Sequence, residues 1–348
     1  MNQTFKKALC CGMAVMMFAL SGCSVIDSFK SFIGLSDDPA PTPTPKPQVT
    51  VEYGTAEAVT LDLQEGVPTS KFSAENFSWV NGRMTYTDEN AVVMTGIDVS
   101  EHQQYPDWDK VAADGIDFAM IRLGYRGSSE GMLYKDPIFT YNMKKAANAG
   151  LDIGIYFFSQ ATCRAEAVAE AYYVCSILEE YKDVITMPVV FDWEVATGEN
   201  SRTASIDGDT VTKCAYYFSE IIAENGYQPA VYFNRHMGYY LYDLTRFTGS
   251  DVEFWFAGEG DYSDFYYEHS MWQYTFTGKV NGIEGDVDIN LYIKYPEAAS
   301  DLGSGDAAEG DTTGTDGNAA EGDTTGTDGN AAEGDTTGTD GVEDGAAE

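Results

Sequence analysis

The sequence is short of basic residues. Against 56 Asp and Glu it carries 20 Lys and Arg, for a formal net charge of −36, and from Asp301 onward every charge is acidic. Such a chain does not seek nucleic acid, because phosphate binding needs a basic surface that releases counterions. Long hydrophobic runs are scarce too: the apolar stretch at residues 8–20 is too short to cross a bilayer comfortably. Cysteine is sparse, six in 348 residues, and the spacing matches no zinc site, so neither a metal nor a cofactor is expected. Large apolar residues are missing from the C-terminal repeat Ala-Ala-Glu-Gly-Asp-Thr-Thr-Gly-Thr-Asp-Gly-Asn, which begins at Ala307 and Ala319 and recurs as a variant at Ala331. With nothing to bury, residues 297–348 are expected to form a disordered, self-repelling acidic tail. The repeat fits neither an EF-hand loop nor the calcium β-helix nonapeptide.

What is present begins with a targeting pattern. Lys6 and Lys7 precede the apolar run, which ends in Leu20-Ser21-Gly22-Cys23. That ending resembles a bacterial lipobox, which makes residues 1–22 a lipoprotein signal peptide and Cys23 the lipidated N-terminus of the mature chain. The alternative is an ordinary secretory signal, and either reading exports the protein. Residues 23–48 then hold the anchor and a Pro-rich spacer, Pro39-Ala40-Pro41-Thr42-Pro43-Thr44-Pro45-Lys46-Pro47, stiff enough to lift the folded part off the membrane. The expected location is the outer face of the cytoplasmic membrane, facing the wall. Cys163, Cys175 and Cys214 remain for the folded part; a bond between Cys175 and Cys214 is one reading and buried free thiols the other.

Residues 49–93 form an extension without an assigned role, with short alternating runs that predict small strands. From Met94 to 296 the pattern becomes regular. Apolar β runs at 95–99, 118–123, 153–158, 189–193, 230–233, 253–256, 271–274 and 287–291 alternate with helical stretches at 108–113, 137–149, 164–181 and 209–225, plus a short piece near 238–245. Alternation of this kind predicts an α/β architecture. The later strands leave no room for full helices, so the expectation is an irregular TIM-like (β/α)5(β)3 barrel whose second half is joined by hairpin-like connections.

In barrels the chemistry sits at the C-terminal ends of the strands. Asp98, Asp192 with Glu194, and Asp288 all fall at or near such ends. Pro188-Val189-Val190-Phe191-Asp192-Trp193-Glu194 is the densest signal: alternate residues of a strand share a face, so Asp192 and Glu194 point the same way, as a glycosidase pair would. Solvated acids at a strand end are the plain alternative. Tyr156, Tyr232 and Trp272 lie on strands near the expected mouth and could stack on sugar rings or fill the core. Arg122 and Arg202 could meet carboxylates of the site or substrate, or tie two loops together.

Five motifs in order carry a resemblance: Thr95-Gly96-Ile97-Asp98-Val99-Ser100; Ile121-Arg122-Leu123-Gly124-Tyr125; Gly154-Ile155-Tyr156-Phe157-Phe158-Ser159; Pro188 to Glu194; and Met271-Trp272-Gln273-Tyr274 with Val287-Asp288-Ile289-Asn290. Together they resemble the glycoside hydrolase family 25 lysozymes. The resemblance implies an irregular barrel that cleaves the β-1,4 bond between N-acetylmuramic acid and N-acetylglucosamine in peptidoglycan, with retention by participation of the substrate's acetamido group. It implies that Glu194 is the general acid, that Asp192 keeps Glu194 protonated and handles the acetamido group, and that Asp98 and Asp288 line the same pocket. Arg122, Tyr125, Tyr156, Tyr232 and Trp272 become candidate substrate contacts, peptidoglycan the partner, and a monomer the expected state. One departure is Gln104, where the family often has a glycine; this restricts the backbone of a loop over the site. His102 in the same loop is read as a positioning or surface residue. Two other classes compete: a catalytically silent wall-binding lipoprotein, and another barrel glycosidase such as a chitinase.

Overall fold

A computed structural model describes residues 46–51, 58–196 and 201–296. The signal peptide, Cys23, most of the spacer and the acidic tail lie outside the described residues. The chain divides into two units, Met1–Pro296 and Glu297–Glu348, and only the first contains described residues.

Eight strands close into a barrel: β5 (Val92–Val99), β6 (Phe118–Arg126), β8 (Asp152–Ser159), β9 (Val189–Trp193), β10 (Pro229–Asn234), β11 (Glu253–Ala257), β12 (Met271–Gly278) and β13 (Val287–Lys294). From β5 through β12 every barrel neighbour pairs in parallel, and β13 alone runs antiparallel, between β12 and β5. The strands match the continuous apolar runs of the sequence, because a parallel strand covered on both faces has no side to give to water. A short strand β7 (Leu133–Lys135) extends the sheet beyond β6.

Among the described residues four α-helices lie on the outside: α1 (Trp108–Ala113), α2 (Phe139–Asn148), α3 (Arg164–Leu178) and α4 (Gly208–Glu224). Asp107 and Asp207 cap α1 and α4, each side chain accepting a backbone N–H of the first turn. α4 buries Val211, Cys214, Ala215, Phe218 and Ile222, one stripe at helical spacing that packs on the barrel. Cys175 and Cys214 are buried free thiols and Cys163 is an exposed one.

The second half differs from the hairpin-like connections expected of it. β10 to β11 and β11 to β12 are parallel steps made without an α-helix, and only β12 to β13 is an antiparallel hairpin. Short helical turns at Met237–Leu241 and Leu244–Phe247 carry the first of these crossings.

The outer face of β12 and β13 is therefore bare of helices, and the N-terminal extension covers it. β3 (Phe77–Val80) and β4 (Arg83–Tyr86) form a hairpin whose Phe77 ring meets Trp272 edge-on at 5.2 Å. Tyr86 Oη lies 2.8 Å from Tyr295 Oη. Upstream, the Gln64 side chain donates to the Tyr242 carbonyl and accepts from the Leu244 N–H. A second antiparallel pair, β1 (Gln48–Val51) and β2 (Val59–Asp62), precedes it.

The barrel interior is plugged at its lower end by Phe118, Met120, Met187, Val190, Ala230, Trp255, Met271 and Tyr292. Gly96 and Gly154 make room for this packing: a Cβ at either would sit 2.4 Å from the Phe118 ring or the Met120 sulfur. The plug leaves space only above it, at the end where the parallel strands finish.

Candidate active site

Strand alternation decides which side chains face that space. Inward positions near the strand ends are Asp98, Arg122, Tyr156, Asp192, Tyr232, Gln273 and Asp288, all of which line a cavity of about 220 Å³ together with Glu194, Ser100, His102 and Gln103. Register places them side by side. Asp192 is paired with Phe158 on one flank and Tyr232 on the other, and Asp98 stands opposite Asp288. All four acids foreseen from the sequence thus meet in one cavity, Glu194 just beyond the last residue of β9.

A hydrogen-bond chain with fixed polarity holds Asp98. The Trp255 indole can only donate, and it donates to Asn290 Oδ1 at 2.8 Å, which turns the Asn290 amide nitrogen toward Asp98 Oδ2, also at 2.8 Å. In the same way Tyr232 Oη donates to Gln273 Oε1 at 2.9 Å. Gln273 Nε2 then donates to Asp98 Oδ2 at 2.8 Å and to Asp288 Oδ2 at 3.3 Å. Two amide donors on one oxygen favour the ionised form, so Asp98 carries the negative charge of the cluster.

Its neighbours keep their protons more readily than free carboxyls do. Burial raises Asp98 itself, and the donors from Asn290 and Gln273 offset only part of that rise. Asp288 is pushed up to about 8, first by burial and then by the charge of Asp98. Asp192 is pushed well above the carboxylate range by burial and then by Glu194 and Asp98, with Arg122 opposing. Glu194 is raised by burial and by Asp98. The Asp98 charge, on another strand, thus acts on Glu194, and Glu194 and Asp192 lie close enough at the end of β9 for the one to raise the other. Asp192 Oδ1 is buried without a hydrogen-bond partner, an unsatisfied acceptor or donor in the cavity wall.

Arg122 lines the cavity with two of its nitrogens engaged. Its Nε lies 2.8 Å from Asp136 Oδ2 and an Nη 3.0 Å from Glu101 Oε1. Asp136 Oδ2 also accepts the Glu101 N–H at 3.0 Å, which ties down the loop after β5. In that loop Gln104 takes φ 56° and ψ −119°, a left-handed region costly for any residue but glycine. His102 lines the cavity.

Two of the aromatic candidates lie elsewhere. Trp272 precedes inward-facing Gln273 and so points out of the barrel, where it is fully buried and donates to the Gly258 carbonyl at 2.8 Å. It is core, and Trp255 is the tryptophan of the cavity. Tyr125 stands behind the wall, its ring 5.3 Å from Tyr134 and under the Arg122 guanidinium. Arg202 binds Glu166 and the Gln160 carbonyl, away from the cavity.

Several positioning residues escaped the sequence reading. Asn290 had a signal, since it follows Asp288 by two on one strand and so shares its face. Gln160 had none. It follows β8, is fully buried, and donates to the Glu194 carbonyl at 2.7 Å and the Ser159 carbonyl at 2.9 Å, while Thr203 Oγ1 donates to its Oε1 at 3.1 Å. Thr203 Oγ1 in turn accepts the Ala196 N–H at 3.0 Å. The backbone on which Glu194 rides is clamped from below. Among the described residues no group of three or more His, Cys, Asp or Glu is arranged to hold a metal ion.

An acid with a raised pKa and a charged neighbour, at the C-terminal mouth of a barrel, is a glycosidase arrangement, and the sequence profile of the glycosyl hydrolases family 25 matches residues 97–283. The chain belongs to this family. Among its relatives, Lysozyme M1 of Streptomyces globisporus is 28% identical over 206 residues, covering 57% of this chain and 67% of that protein. The autolytic lysozyme of Clostridium acetobutylicum is 25% identical over 200 residues, covering 57% of this chain and 56% of its own length. The matched region thus spans between about half and two thirds of these family 25 relatives. The fold is that of the modular autolysin LytC of Streptococcus pneumoniae, solved with a synthetic peptidoglycan ligand: TM-score 0.51, 23% identity, 70% of this chain and 56% of that one. The spore cortex lytic enzyme SleM of Clostridium perfringens gives a TM-score of 0.51 at 21% identity, over 59% of this chain and 69% of that one.

Proposed function

We propose that this chain is a peptidoglycan muramidase that hydrolyses the β-1,4 bond between N-acetylmuramic acid and N-acetylglucosamine. The observation that carries the reading is Glu194, raised by burial and by the Asp98 charge in a cavity shared with Asp192 and Asp288. A carboxyl whose pKa is raised above the ordinary carboxylate range is what a leaving glycosidic oxygen requires.

In the first step Glu194 gives its proton to the bridging oxygen as the bond to the muramic acid C1 breaks. The acetamido oxygen of the same sugar closes on C1. Asp192 handles the acetamido N–H through its unpartnered Oδ1, and the Asp98 charge stabilises the positive ring that forms. Water then attacks C1 from the face just vacated, Glu194 takes its proton, and the configuration is retained. This route replaces the attacking carboxylate of the two-acid scheme by a substrate group. Tyr156, Tyr232 and Arg122 line the sugar site. We further propose export and tethering through a lipidated Cys23, with the spacer setting the reach; the support is the order Lys6, Lys7, apolar run, Leu20-Ser21-Gly22-Cys23.

The test is to incubate the protein with purified peptidoglycan and identify the new reducing ends. Muramic acid ends, cut in rate about 10²- to 10⁴-fold in Glu194→Gln, are expected for loss of a general acid. Wall binding without any release of ends by the wild type would instead favour a silent wall-binding protein. Labelling with a radioactive fatty acid, lost in Cys23→Ala, tests the anchor.

A further inference from the structure

Outside the barrel, between the tip of the β3–β4 hairpin and the arm made by the ends of β12 and β13, lies a groove of about 1010 Å³. It is larger than the catalytic cavity and does not connect to it through any shared lining residue. The two strands β12 and β13 separate them: Gln273 and Asp288 face inward, Thr275 and Ile289 outward. One wall comes from residues 79–85, outside the region matched to family 25.

We propose that this groove is a second glycan-binding site, which holds a neighbouring strand of the wall while the barrel cleaves another. The identification of the ligand as wall glycan rests on the muramidase reading.

Three features fit a neutral sugar chain. First, Trp79 in the groove wall is 49% exposed yet fixed, its ring edge-on to Tyr274 at 5.6 Å and its indole N–H donated to Asp261 Oδ1 at 3.2 Å. A large ring that is already immobilised loses little entropy when a sugar face stacks on it. Second, the charges of the lining are spoken for: Arg83 pairs with Asp114, and Lys279 with Asp286 at 2.6 Å. The remaining polar groups are amides and hydroxyls, among them Asn81, Thr85 and Thr277. A groove without free charge does not select a nucleic acid or a charged peptide. Third, the floor is rigid, because Asp114 also accepts from the Asn281 side chain at 2.6 Å and thereby joins the arm to the hairpin. The groove is preformed, as carbohydrate and other small-ligand sites generally are.

The experiment uses the full chain carrying Glu194→Gln, so that the wall is not degraded, and measures co-sedimentation with purified insoluble peptidoglycan. Adding Trp79→Ala is expected to weaken binding about three- to tenfold, the size of a lost aromatic contact, and Thr277→Arg, which blocks the groove from the opposite wall, to do the same. Trp79→Phe should keep most of the binding. In the active chain, Trp79→Ala should lower the ratio of activity on insoluble wall to activity on a soluble muropeptide tetrasaccharide. Unchanged wall binding in both blocking variants overturns the groove, as does an equal fall on both substrates. The two readings fail separately: a wild type that releases no reducing ends but loses wall binding with Trp79→Ala keeps the groove and overturns the hydrolase.

Discussion

Asp288 of β13 stands directly across the antiparallel ladder from Asp98 of β5. Two like charges facing each other across strands destabilise the sheet, and the pair resolves the conflict by dividing roles. Asp98 takes the amide donors of Gln273 and Asn290 and with them the charge, while Asp288 holds a proton up to about pH 8.

The charge on Asp98 sets the alkaline limb of activity. Because it raises Glu194, Asp98→Asn should lower the Glu194 pKa and move the high-pH fall of kcat/KM to lower pH. Asp288→Asn removes a group that is already neutral at pH 7, so its limb should move less. Equal displacement in the two pH–rate profiles would contradict the division of roles.

The same pair makes stability depend on pH. Asp288 goes from the ordinary 3.8 to about 8 on folding, so the native state holds a proton that the unfolded chain has lost between those values. Its contribution is full below about pH 4 and disappears as pH rises toward 8. Buried His269, lowered from 6.5 to about 4 mainly by desolvation, has the opposite sign: its stability is present above about 6.5 and lost as pH falls toward 4. Thermal melts of Asp288→Asn should therefore gain on the wild type as pH rises from 4 to 8. A constant difference in Tm across that range would remove the linkage.

Gln160 acts through the backbone of Glu194 and touches no sugar. Replacing it with Leu frees the Glu194 carbonyl, and small misplacements of a reacting group cost up to about 10²-fold in rate. The expectation is a lower kcat with KM and the pH limbs little changed. Thr203→Val shares the clamp, so the double variant should cost less than the product of the singles. Independent effects would show that the two residues do not work as one support.

Phe77 tests the N-terminal extension. Truncating a buried Phe to Ala typically costs about 3–5 kcal/mol, and here it also uncovers Trp272. Phe77→Ala should lower the urea midpoint and redshift tryptophan emission before the main transition. An unaltered midpoint would mean that residues 58–93 are dispensable to the barrel.

The strands and acids were legible because each rests on a local rule. Continuous apolar runs mark the barrel strands, and Asp98, Asp192 and Glu194 fall at or near the ends of such runs, whereas Asp288 stands at the start of its run and reaches the same mouth because β13 is antiparallel. The aromatic assignments were less secure, since a strand's face is set by register: Trp272 and Gln273 are adjacent in sequence, and packing alone sent the tryptophan outward and the amide to Asp98. Gln160 and Thr203 gave no sign, because a buried amide that holds a carbonyl looks in sequence like any loop glutamine.

The order of strands, the family motifs and the four acids can be read from the residues alone, because these depend on side-chain chemistry and on a period of two. Only the tertiary structure decided which acid bears the charge and which keep their protons. Those roles depend on burial and on donors from β12 and β13, 175 and 192 residues from Asp98 in the chain. It also decided the place of the N-terminal hairpin, whose apolar face has no partner until the helix-free side of the barrel is built.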